Sequence, residues 1–83
     1  MRLILSPRAE KQFKKLPRVT QIILAKKIRS LIRSSTIKGE EKLKGHRNIY
    51  RVRVENYRVV YKKTKKEVYV VLIGHCLANP YEN

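Results

Sequence analysis

Three arginines, Arg51, Arg53 and Arg58, crowd into the stretch Tyr50-Arg51-Val52-Arg53-Val54-Glu55-Asn56-Tyr57-Arg58-Val59-Val60-Tyr61. A guanidinium stays charged at any physiological pH, and its planar fork of donors fits phosphate oxygens two at a time. The stretch reads as two alternating strands joined by a two-residue turn, Glu55-Asn56, with Asn56 supplying the tolerance for positive φ. In that register Val54 lies opposite Tyr57, Arg53 opposite Arg58, and Val52 opposite Val59. Tyr50, Val52, Val54, Tyr57, Val59 and Tyr61 then share one face, and the three arginines gather on the other. Like charges directly across a ladder cost about 0.2–1 kcal/mol per pair, an arrangement that suits a polyanion. Lys44 and Arg47, just before the hairpin, extend the same basic surface as candidate RNA contacts. Phosphate contacts of this kind give affinity without sequence information. The plainer alternative is a solvated sheet face in a basic protein.

Two further side chains could move protons or stack on bases. His75 continues the alternation Tyr69, Val71, Ile73, which is expected to bring it out at a strand end beside the arginines. Tyr81 lies in the tail. Unpaired RNA bases stack on aromatic rings, and histidine titrates near neutral pH. Each residue alone has an ordinary reading, as a packing tyrosine or a hydrogen-bonded histidine. His46, in Gly45-His46-Arg47, is read as structural, and Cys76 as a small, partly buried side chain. The chain has no Asp, no paired catalytic carboxylates, no Gly-rich phosphate loop and no plausible Ser-His-acid set. No Cys/His spacing suggests zinc, and scattered glutamates are a poor cradle for Mg²⁺. Phosphoryl chemistry on these residues would need neither metal nor cofactor. Cations would stabilise the transition state, and His or Tyr would serve as acid or base.

The elements that must position these groups are short. Eighty-three residues suit one small domain, 1–83, with a modest core. Arg2 to Leu5 is a candidate first strand. Ser6-Pro7 is a helix start signal, with Ser6 as cap and Pro7 at the first helical position. Ala9, Phe13 and Leu16 recur at helical spacing until Leu16-Pro17 breaks the run. Pro17 opens a second helix whose stripe is Val19, Ile22, Ile23, Ile28, Leu31 and Ile32. The helix is expected to end at Ser34-Ser35-Thr36 and Gly39. Residues 36 to 48 form a polar, basic connection, and the hairpin follows. Val68 to Ile73 is nearly continuous in apolar residues and is therefore a central strand, buried on both faces. The expected fold is α+β, β-α-α-β-β-β, with an antiparallel helix hairpin and a three-stranded antiparallel segment completing one curved sheet.

Charge sets the class of partner. Lysine and arginine number 21 against 6 acidic residues, all glutamate, for a formal net charge of +15. Such a chain favours nucleic acid first and an acidic protein second. No stretch approaches a membrane span, and Pro7 interrupts an N-terminal run already too short for a signal peptide. The single cysteine forms no internal disulfide, and a cytoplasmic chain without a membrane partner is expected.

Taken in order, Ser-Pro-Arg-Ala-Glu-Lys-Gln-Phe, Leu43-Lys44-Gly45, the Tyr-Arg-Val-Arg-Val strand, Glu55-Asn56-Tyr57-Arg58-Val59-Val60-Tyr61 and Ile73-Gly74-His75 resemble the RelE/ParE superfamily of bacterial type II toxins. The resemblance covers nearly the whole chain and leans to the RelE-like branch. It implies a ribosome-associated mRNA interferase that cuts mRNA in the decoding site by 2′-hydroxyl attack, inhibiting translation. Implied partners are mRNA in the ribosomal A site, rRNA, and a cognate antitoxin, usually acidic, that wraps the basic surface. ParE-like members are similar in fold but inhibit DNA gyrase. A non-catalytic RNA-binding module is a further alternative. Matched by position, Arg51 and Arg53 take the place of two basic residues that are often lysine in the nuclease branch. Arg58 matches the arginine proposed to stabilise the scissile phosphate, and Tyr81 the tyrosine that stacks on or orients substrate. Cys76 stands where the family often has arginine after Gly-His, leaving His75 as the substitute acid.

Overall fold

The computed structural model describes residues 2–33 and 39–75. Its elements are β1 (Arg2–Leu5), α1 (Pro7–Lys14), α2 (Arg18–Arg33), β2 (Glu41–Lys42), β3 (Ile49–Val54), β4 (Tyr57–Lys63) and β5 (Glu67–His75). The strands form one open mixed sheet in the order β1-β5-β4-β3-β2, with β1 parallel to β5 and the other pairs antiparallel. The α+β architecture matches the expected one. Its addition is β2, two residues of the connection that pair with the outer edge of β3.

The chain's start folds for local reasons visible in its residues. Ser6 takes an extended backbone, and its Oγ accepts the Ala9 N–H at 3.0 Å while Pro7 occupies the first helical turn. The same hydroxyl donates to the Val71 carbonyl at 2.6 Å, so one buried side chain caps α1 and ties it to β5. At the other end of α1, the Gln21 side-chain amide donates to the Phe13, Lys14 and Leu16 carbonyls at 3.0, 3.3 and 3.1 Å. The Phe13 carbonyl also takes the Leu16 N–H at 3.1 Å, and Gln21 stitches the two helices across the Pro17 break.

The core lies between the helices and one sheet face. Leu24, Ile28 and Leu31 of α2 pack with Ala9, Val52, Val54, Val59, Tyr61, Val68, Val70 and Ile73. Ile23 and Ile32 flank this stripe. Val19 and Ile22, expected to belong to it, are instead exposed at 68 % and 52 %. They sit roughly opposite the buried positions on the helical wheel, so the stripe is narrower than the apolar residues suggest.

Strand β5 is central, between β1 and β4. β1 covers only its first half, from Glu67 to Val70. Beyond that, α1 closes the exposed edge, with Gln12 Oε1 accepting the Ile73 N–H at 2.6 Å. Unpaired strand edges invite pairing with other chains, and α1 removes that opportunity here. Among the described residues no helix is long and apolar enough to cross a membrane.

Candidate functional site

The hairpin sets the site's geometry. β3 and β4 pair Val54 with Tyr57, Arg53 with Arg58, Val52 with Val59 and Tyr50 with Tyr61, in the expected register. The positive φ falls on Glu55, at 57°, rather than on Asn56. A lone positive φ at the first turn position is the pattern of a type II′ turn, not the type I′ turn that asparagine favours. Val52, Val54, Val59 and Tyr61 are buried on the core face, and Tyr50 and Tyr57 pack against them. Strand alternation then places Arg51, Arg53 and Arg58 together on the opposite face.

A shallow hollow of about 210 Å³ lies there, lined by Gly39, Glu41, Arg51, Arg53 and Arg58. Its counter-charge comes from β2. Glu41 stands directly across the ladder from Arg51, and its Oε2 accepts from Arg51 Nη2 at 2.9 Å and Nε at 3.2 Å. Arg53 Nε donates to the Glu55 carbonyl at 3.1 Å, which folds that side chain toward the turn. Lys44 and Arg47 are exposed in the loop between β2 and β3, where Gly45 and Asn48 take φ of 77° and 60°.

Behind the hollow, on the core face, lies a polar cluster. Glu40 Oε1 accepts from Tyr61 Oη at 2.6 Å and from Lys63 Nζ at 2.7 Å, and both charged side chains are largely buried. Lys63 Nζ also sits 4.6 Å from the centre of the Tyr50 ring, which stacks on Tyr61 at 5.9 Å. Burial, reinforced by the Glu40 carboxylate, pushes the Tyr61 hydroxyl far above its ordinary 10.0.

His75 lies elsewhere than its alternation suggests. It pairs with Tyr57, the rings meeting edge to face at 5.2 Å, while Gly74 is the residue opposite Arg58. The cause is an extra residue in β5. Val60 pairs with Leu72 but Tyr61 pairs with Val70, leaving Val71 as a bulge. One inserted residue exchanges the two faces of everything beyond it, so His75 emerges on the core face, not beside the arginines. Tyr81 and Cys76 lie outside the described residues.

The register therefore unites Arg51, Arg53 and Arg58, leaves Lys44 and Arg47 on the neighbouring loop, and turns His75 away. Sequence reasoning missed Gly39 and Glu41 as members of the site. The one available signal was an adjacent pair of glutamates, Glu40-Glu41, in a chain with so few acids. Among the described residues no group of His, Cys, Asp or Glu side chains is arranged to hold a metal ion. What the hollow offers is a concave cationic surface able to hold phosphate oxygens.

Residues 3–80 match the family described as ParE toxin of type II toxin–antitoxin system, parDE. No curated protein matches the sequence. Among solved structures, the chain is similar to the toxin of the intact Escherichia coli RelBE toxin–antitoxin complex. That match has 28% identity and a TM-score of 0.77, covering 89% of this chain and 94% of that one. The isolated Escherichia coli RelE toxin gives 28% identity and a TM-score of 0.78, covering 89% of this chain and 82% of that one. A RelBE toxin–antitoxin complex of Mycobacterium tuberculosis, at 17% identity, shares the fold with a TM-score of 0.76 over 89% of this chain and 95% of that one. With the matched family spanning nearly the whole sequence and the sheet order, hairpin and helix pair all in place, the chain belongs to the ParE toxin family of the RelE/ParE superfamily and is a type II toxin with a RelE-like fold.

Proposed function

We propose that this toxin is a ribosome-dependent mRNA endoribonuclease. The observation that carries the reading is the hollow lined by Arg51, Arg53 and Arg58 on the sheet face away from the helices. In the proposed reaction the ribose 2′-oxygen attacks the adjacent phosphorus and the bond to the 5′-oxygen breaks. The products are a 2′,3′-cyclic phosphate and a free 5′-hydroxyl. Negative charge grows on the phosphoryl oxygens at the transition state, where fixed guanidinium donors contribute most. Arg58, paired across the ladder with Arg53, is the residue assigned to the scissile phosphate. Arg51 and Arg53 hold the backbone, and Lys44 and Arg47 extend that track toward rRNA.

An arginine is a poor base, because its pKa exceeds about 12. Proton transfer in this reading falls to Tyr81 first. His75, the other candidate, ranks below it because the register turns it to the other face. The net charge and the likeness to toxins solved with antitoxins support a cognate acidic antitoxin as partner and a cytoplasmic site of action.

Induced expression tests the reading. Wild-type protein should arrest growth and cut transcripts, whereas folded Arg58→Ala should do neither. A folded, fully toxic Arg58→Ala would remove Arg58 from its assigned role. A second reading, inhibition of DNA gyrase, is favoured by the ParE match and by the engagement of Arg51 with Glu41. It predicts gyrase-linked DNA breaks with mRNA intact. Salt-sensitive RNA binding without cleavage or toxicity would instead mark a non-catalytic module.

A further inference from the structure

The arginine hollow contains its own anion. Among the described residues Glu41 is the only acidic side chain lining it, and its carboxylate lies across the Nη2 and Nε donors of Arg51, the edge a phosphate would use. This pair is not an accident of two mobile surface chains. Glu41 is paired in register with Arg51 through the β2–β3 ladder. The residue before it is clamped to the opposite face, where Glu40 takes the Tyr61 hydroxyl and the Lys63 ammonium at 2.6 and 2.7 Å. Gly39, one residue earlier, lines the hollow with a φ of 87°. Three consecutive residues thus wall the hollow, seat the clamp and supply the counter-charge.

We propose that Glu41 is a specificity-determining residue: an internal phosphate surrogate that makes the hollow select a phosphodiester chain over a single phosphate. The inference rests on the phosphate-handling reading above. A lone phosphate seated on Arg51 must displace the Glu41 carboxylate, exchanging one anion for another at the same fork. A polynucleotide meets Arg53 and Arg58 as well, and further phosphates along the strand offset that displacement. An ion pair exposed to this degree contributes modestly, so the barrier is low enough for a polyanion to overcome. The carboxylate also offsets one of three like charges in the unliganded protein, where Arg53 and Arg58 already stand directly opposed.

The test measures binding, not cleavage, on the full 83-residue chain prepared by chemical synthesis. The ligands are inorganic phosphate and a short all-deoxy oligonucleotide, which lacks the 2′-hydroxyl and so survives intact. Glu41→Gln should bind inorganic phosphate about three- to tenfold more tightly than wild type. Its affinity for the oligonucleotide should rise less, so that the preference for the chain narrows. Glu55→Gln removes the same charge from the hairpin turn, away from Arg51, and should leave phosphate binding within about twofold of wild type. An equal gain in Glu55→Gln would reduce the effect to net charge and overturn the proposal. So would unchanged phosphate affinity in Glu41→Gln while wild type binds the oligonucleotide, with the phosphate-handling reading left standing. Failure of every protein to bind either ligand would overturn this proposal, while cleavage on translating ribosomes decides the proposed function separately.

Discussion

At the scale of single residues, the site divides into groups that act on a ligand and groups that hold those in place. In the proposed reaction Arg58 belongs to the first kind. Its replacement by alanine removes one of two opposed like charges, so Arg58→Ala should still fold cooperatively while losing toxicity. Equilibrium urea unfolding beside a growth assay separates the two effects. Tyr61 belongs to the second. Its hydroxyl is buried against Glu40, and Tyr61→Phe should cost about 1–3 kcal/mol by urea unfolding, because a buried carboxylate loses a donor. The pH dependence has a definite sign. The folded-state pKa is raised above the ordinary 10.0, so above that pH the unfolded chain ionises while the folded one holds its proton. The contribution is fully present below pH 10 and fades as pH rises beyond it, and Tyr61→Phe should lose stability less steeply than wild type in that range. A parallel decline in the two proteins between neutral pH and pH 11 would remove Tyr61 as the source.

At the scale of elements, the hairpin was legible because alternation, turn length and the two matching aromatic-valine faces all specify one register. The helix starts and the break at Pro17 were legible for equally local reasons, a hydroxyl cap and two prolines. Two features were not. Strand β2 is only Glu41–Lys42, both exposed, and two polar residues carry no periodic signal. It exists because the edge of β3 is there to receive it. The bulge at Val71 was also hidden, since inserting one valine into Val70-Val71-Leu72-Ile73 leaves the strand apolar throughout and erases the alternation that would reveal a slip. That bulge decides where His75 lies. It is held from the side by Ser6, whose N–H donates to the Val70 carbonyl at 2.9 Å and whose hydroxyl donates to that of Val71. Ser6→Ala removes the α1 cap and the hydroxyl's bond to Val71 together, while the backbone bond to Val70 stays. It should lower stability by about 1–2 kcal/mol in urea unfolding, near the upper end for a helix cap. A change below a few tenths of a kcal/mol would mean that the Ser6 hydroxyl contributes nothing.

At the scale of the whole molecule, two basic surfaces lie on opposite sides of one thin core. The arginine hollow lies on the sheet face away from the helices, while the helical layer covers the other face. From Pro7 to Arg33 the sequence has nine lysines and arginines and a single acid, Glu10. The net charge alone therefore announced an anionic partner but not which side it meets, and the register was needed to place the arginine cluster. If three phosphates are neutralised at Arg51, Arg53 and Arg58, binding of single-stranded nucleic acid should weaken with salt at a log–log slope of about −2. Arg58→Ala should reduce that slope by about 0.7. A slope unchanged in the variant would place the strand elsewhere, with the helical layer the obvious candidate.

The central claim, that the arginine face cuts mRNA on the ribosome, is met most directly by adding the purified protein to ribosomes translating a defined mRNA and mapping transcript ends by primer extension. Discrete cuts within codons, present only while ribosomes translate and absent with Arg58→Ala, are the predicted result. An mRNA left whole by near-stoichiometric, folded wild-type protein would contradict the claim.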